Sequence, residues 1–168
     1  MTAAPLSGTD YSPLLRTDFT DEVAWQALLD EIDTDWLTVM HDPAHEGLSV
    51  PDLLALVLEG SAYPALVVAD GETFSSKERT LLLVDVQEQP GRTFRAAVPD
   101  AFDSVLGNLA IRNQTFDDCL DSGSLGDDGV YRLSSHHRQA LVELQGPRGK
   151  QEFMEGTGQS PGPGTQRV

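Results

Sequence analysis

Ala65-Leu66-Val67-Val68-Ala69 and Leu81-Leu82-Leu83-Val84 are wholly apolar runs that do not alternate with polar residues. A strand with one wet face alternates, whereas a strand buried on both faces reads as an unbroken apolar run. Both runs therefore predict strands inside a sheet covered on two sides. Working toward the carboxyl end, Thr93-Phe94-Arg95-Ala96-Ala97-Val98 predicts another strand. Beyond Pro99, Phe102, Val105, Leu106 and Leu109 recur at i, i+3, i+4 and i+7, the apolar stripe of a helix. Thr115-x-x-Asp118 matches a capping box and opens a short acidic helix with Phe116, Cys119 and Leu120 inward. Asp127-Asp128-Gly129 is a turn, and Val130-Tyr131-Arg132-Leu133 predicts a last short strand.

Toward the amino end, Trp36-Leu37-Thr38-Val39-Met40 and Leu14-Leu15-Arg16-Thr17-Asp18-Phe19 predict two more strands. Between them, Trp25, Leu28, Leu29 and Ile32 form a helical face, with Thr20 as the expected N-cap. Ser49-x-x-Asp52 with Pro51 opens a helix over the apolar residues 53–58, which Gly60 ends. This order predicts an α/β (or α+β) fold. We expect a small single domain, its short sheet of about four to six strands covered by three or four helices.

The 168 residues suit one domain plus an appendage, and 39% hydrophobic residues suffice for a buried core. From Gly146 to the end, nine of 23 residues are Gly or Pro, too little apolar surface to offset ordering entropy. The expected layout is a flexible N-terminus over 1–11, an acidic domain over 12–133, and a largely disordered tail over 134–168. A short, poorly anchored helix is expected within 134–145, and deleting 146–168 should move the melting temperature by no more than about 2 °C. The whole chain carries −16, and residues 134–168 hold four basic and three acidic side chains. That leaves 7 basic against 24 acidic in residues 1–133, a net of −17. So acidic a surface excludes nucleic-acid binding by general phosphate neutralisation. No stretch reaches the ~18 apolar residues of a membrane span, and the N-terminus lacks the pattern of a secretory signal. With Cys119 as the lone thiol, a disulfide framework is excluded and a cytoplasmic setting expected.

A family resemblance rests on Leu14-Leu15-Arg16-Thr17-Asp18-Phe19-Thr20-Asp21 with Trp25, then Leu81-Leu82-Leu83-Val84-Asp85 and Arg92-Thr93-Phe94-Arg95. It continues through Val98-Pro99, peaks over Ser104-Val105-Leu106-Gly107-Asn108-Leu109-Ala110-Ile111-Arg112-Asn113, and closes with Phe116 and Asp128-Gly129-Val130-Tyr131-Arg132. Over residues 12–133 the chain is similar to a family of small actinobacterial, Streptomyces-type proteins carrying a domain of unknown function. The resemblance implies a bacterial domain and transfers no catalytic residue.

The residues themselves offer several candidate sites. Asp18, Asp70 and Asp85 each end or follow a predicted strand, the place where hard carboxylate ligands gather around Mg²⁺ in open α/β sheets. Alternatively they are strand-ending turn residues. Arg16, Arg95 and Arg112 offer an anion pocket, or structural ion pairs in a chain so rich in carboxylates. Asn108 and Asn113 offer a ligand or partner contact, or else Asn108 caps backbone while Asn113 ends its helix in a left-handed turn. His41 and His45 are four apart, as zinc requires on a helix, but Pro43 between them blocks a regular helix. Cys119 has no histidine arrangement about it and reads as a small core residue.

No recognisable nucleophile, general acid or general base emerges. The leading expectation is a non-enzymatic binding or regulatory module, without a cofactor, whose acidic surface meets a basic protein. The alternatives are a small divalent-metal enzyme using Mg²⁺ on the strand-end carboxylates, and a small-anion sensor on the arginines.

Overall fold

In a computed structural model of the chain, residues 3–6, 10–133, 162–163 and 165–166 are described. Six strands form one mixed sheet: β1 (Ser12–Arg16), β2 (Leu37–Met40), β3 (Ala65–Ala69), β4 (Thr80–Asp85), β5 (Thr93–Ala97) and β6 (Val130–Tyr131). Five helices accompany them: α1 (Glu22–Glu31), α2 (Val50–Leu54), α3 (Gly71–Ser75), α4 (Asp100–Ala110) and α5 (Phe116–Leu120). The fold is therefore α/β, as the apolar runs predict. The chain divides after Arg132 into two units. The first contains this sheet, and the described residues of the second pair Gly162–Pro163 with Thr165–Gln166. The expected helix within 134–145 falls outside the described residues, as does the rest of the tail that was expected to be largely disordered, apart from these paired residues.

Strand order is β2-β1-β3-β4-β5-β6. β1 pairs in parallel with β2 and β3, and β5 with β6, while β4 is antiparallel to both neighbours. Only β4 therefore runs against the rest. The carboxyl ends of the other five strands share one edge of the sheet with the amino end of β4.

The apolar runs are buried as their composition requires: all five residues of β3 and all but Leu82 of β4. Strand parity divides them between two cores. Leu15, Leu66, Val68 and Val84 face Leu53, Tyr63 and the N-terminal Leu6. Leu14, Val67, Leu83 and Phe94 are successive cross-strand partners and so share the opposite face. Against that face pack α4 and α5, the ring of Phe94 lying 5.0 Å from that of Phe116. Trp25 and Phe102 are fully buried, each burial contributing roughly 2–3 kcal/mol.

Local corrections have local causes. Helix α1 is capped by Asp21, not Thr20, because Thr20 donates its N–H and hydroxyl to Asp18 instead. Helix α2 has the expected capping box but stops at Leu54, and residues 55–56 form a turn that leads into Val57. Helix α3 was not foreseen, although Asp70 and Thr73 form a capping box around it. Leu6, within the segment 1–11, is 3% exposed and bridges to Val57.

Candidate functional site

At the shared carboxyl edge, β1 lies between β2 and β3, so the chain switches direction there, the usual place for a ligand in open α/β sheets. The sequence-predicted Arg16, Asp18, Asp70 and Arg95 all belong to this edge. Arg16 is 2% exposed, with its guanidinium 4.4 Å from the Phe19 ring centroid and 5.0 Å from that of Trp25. Its Nε donates to the Asp18 carbonyl at 2.9 Å and its Nη1 to Glu22 at 2.8 Å. Asp18 accepts from the Thr20 hydroxyl and N–H, which hold its carboxyl below the ordinary value. Asp70 caps α3 and accepts from Arg95 Nη2 at 2.5 Å, while Arg95 Nε lies 3.3 Å from Glu72. The Asp18 and Asp70 carboxylates are thus engaged by the chain's own donors, whereas Arg16 Nη2 is buried with no hydrogen-bond partner among the described residues.

The antiparallel course of β4 sends Asp85 to the other edge, opposite Ala65 at the start of β3. The three carboxylates expected around Mg²⁺, Asp18, Asp70 and Asp85, do not converge. Asp85 is instead an internal staple. It accepts from the N–H groups of Gln87, Glu88 and Gln89 and from Arg92 through Nε and Nη2. Desolvation alone would raise its pKa, but the donors outweigh it, those of Gln89 and Gln87 first, and hold the carboxyl low. Among the described residues, no three His, Cys, Asp or Glu side chains are grouped to hold a metal.

The expected arginine trio is likewise split, since Arg112 lies beyond α4 at the Asp85 edge, lining a small cleft with Asp85 and Glu88. Arg112 has φ +60, so the left-handed residue ending α4 is Arg112 and not Asn113. Asn108 serves the cap: its side chain donates to Ser104, accepts from Asn113, and its carbonyl accepts the Asn113 N–H at 2.8 Å. Cys119 is buried in the core, and burial pushes its thiol up to about 11, leaving little thiolate at neutral pH.

The family described as a domain of unknown function (DUF6924) matches residues 11–134, most of the chain and every strand of the large sheet. The chain belongs to this family. No curated protein and no solved structure matches it. No helix among the described residues of this DUF6924 protein is long and apolar enough to cross a membrane.

The charge of the DUF6924 domain is unevenly spent. Of the six arginines in residues 1–133, Arg16, Arg79, Arg92, Arg95 and Arg132 each hold at least one carboxylate. The remaining acids far outnumber the basic side chains left over. Amid them, at the amino ends of β1 and β2, stand two exposed aromatics that the sequence reading did not single out. Tyr11 is 48% exposed and Trp36 43%, their rings meeting edge to face at 6.1 Å. The β1–β2 register pairs Ser12 with Leu37, which brings the preceding residues side by side. Trp36 closes a 3-10 turn over Thr34–Trp36, capped by the Asp33 side chain accepting from the Asp35 N–H. Asp10 adjoins Tyr11 in the chain, and Asp33 and Asp35 precede Trp36. The Asp33 N–H donates to Asp103, whose carboxyl burial pushes up to about 6, aided by the charges of Asp33 and Asp100.

Proposed function

We propose that this DUF6924 chain is a non-enzymatic binding module that takes a Lys- or Arg-rich segment of a protein partner. The observation that carries this reading is the exposed Tyr11–Trp36 pair set among Asp10, Asp33 and Asp35. Large half-exposed aromatics supply contact area at low entropic cost and rank among the side chains that dominate interfaces. Their faces attract Lys and Arg, while the surrounding carboxylates steer cationic segments in and disfavour acidic ones. The reading needs no cofactor and goes with the actinobacterial source that the resemblance implies and with the cytoplasmic setting expected from the lone thiol and the N-terminal sequence.

The test is calorimetric titration of the whole chain with a decalysine peptide, and with decaglutamate as control. Saturable decalysine binding that weakens with salt is expected, with no heat from decaglutamate. Trp36→Ala and Tyr11→Ala should each weaken it about tenfold, equivalent to about 1.4 kcal/mol. If decalysine binds both variants as tightly as the parent, the attraction is general charge and the reading fails.

A further inference from the structure

At the opposite end of β2 from Trp36 lies a cleft of about 370 Å³, within the range of small-molecule sites. Pro5, Leu6 and Met40 give it an apolar side, while His41, Asp42 and His45 line the rest. Each element is fixed independently. Leu6 is tied down by its N–H to the Leu56 carbonyl, and Met40 is the last residue of β2. Asp42 caps the 3-10 turn over Pro43–His45 by accepting from the Ala44 N–H, and the His41 ring stacks on Trp25 at 6.3 Å. The turn is tied to the residue that follows β1 by the Gly47 N–H donating to the Thr17 carbonyl.

His45 is 4% exposed, and its Nδ1 is buried with no hydrogen-bond partner. A buried imidazole nitrogen without a partner is disfavoured, and each imidazole nitrogen can donate or accept as its tautomer dictates. We infer that this cleft is a binding site for a small neutral molecule with an apolar, ring-sized body and one hydroxyl, the His45 ring turning to bring its buried, unpartnered Nδ1 to that hydroxyl. The apolar side takes the body. The Asp42 carboxylate and the acidity of the whole domain turn away an anion of the same shape. The site shares no residue with the aromatic face above, so either reading stands without the other.

Phenol, toluene and benzoate test it, followed in the full-length protein by NMR of the His41 and His45 imidazoles and the Met40 methyl group. Phenol is expected to give saturable, millimolar shifts at His45 and Met40, toluene at least threefold weaker ones, and benzoate none. Ala4→Trp, at an exposed position on the cleft's rim, should block phenol while leaving the fold intact. His45→Phe should reduce phenol to the level of toluene. Absence of saturable phenol shifts at His45 overturns the proposal. So does equal binding of all three probes, or phenol binding unchanged in Ala4→Trp.

Discussion

The backbone N–H of Asp33 donates to the carboxylate of Asp103 at 3.3 Å, joining the turn before β2 to the first turn of α4. One acidic residue thus holds another in place. The cost falls on Asp103, whose pKa is raised to about 6 chiefly by burial, and then by the neighbouring charges of Asp33 and Asp100.

Because the folded protein binds this proton more tightly than the unfolded chain, the stabilising effect is fully present below about pH 4. It is lost as the pH rises through about 6. Asp103→Asn keeps an oxygen for the Asp33 N–H and removes the charge. The variant should exceed the parent by about 1–2 kcal/mol at pH 7.5 and match it at pH 4. Denaturant melts at the two pH values check this, and an equal effect at both would contradict it.

Asp85 has the opposite linkage. Its donors hold its pKa below the ordinary value, so its contribution is present at neutral pH and fades as the pH falls through the acid range. Asp85→Ala leaves the N–H groups of residues 87–89 and the Arg92 guanidinium short of their acceptor. A loss of about 3–5 kcal/mol is expected at pH 7, with a smaller difference from the parent in acid. Thermal melts from pH 7 to pH 3 would show the two curves approaching.

Arg112 occupies a backbone conformation, φ +60, suited to glycine. The left-handed geometry costs an L-residue about 1–2 kcal/mol, and glycine gives back about 0.4–1 kcal/mol in the flexibility of its unfolded chain. Arg112→Gly should therefore raise stability by roughly 0.5–1 kcal/mol. Arg112→Ala should give none of that gain, since alanine shares the steric penalty. Chemical denaturation of the two variants separates backbone strain from loss of the guanidinium.

Trp25 is fully buried while Trp36 is 43% exposed, and the chain has no other tryptophan. Acrylamide should accordingly quench only part of the native emission, and Trp36→Phe should abolish that accessible fraction. Decalysine should protect it. Unchanged quenching with bound peptide would put the peptide elsewhere.

The sheet's interior was legible because residues 65–69 and 81–84 carry no polar side chain to face water. The capping boxes at Ser49/Asp52 and Thr115/Asp118 were legible because a hydroxyl and a carboxylate three apart satisfy reciprocal N–H groups. The direction of β4 follows from the lengths of its connections. Residues 70–79 between β3 and β4, and 86–92 between β4 and β5, are too few for an ordinary parallel crossover. Two reversals follow, and with them the separation of Asp85 from Asp18 and Asp70. The meeting of Tyr11 and Trp36 was less accessible. It depends on the β1–β2 register, which nothing local to either residue specifies.

Arg92 reaches from the Asp85 turn to Asp117 in α5 at 2.5 Å, and its guanidinium lies 5.4 Å from the Phe116 ring centroid. The β4–β5 hairpin and α5 are thereby coupled against local opening. In native-state hydrogen exchange, the amides of residues 87–89 and those of Cys119 and Asp121 should behave as one unit, exposed by a single shared fluctuation.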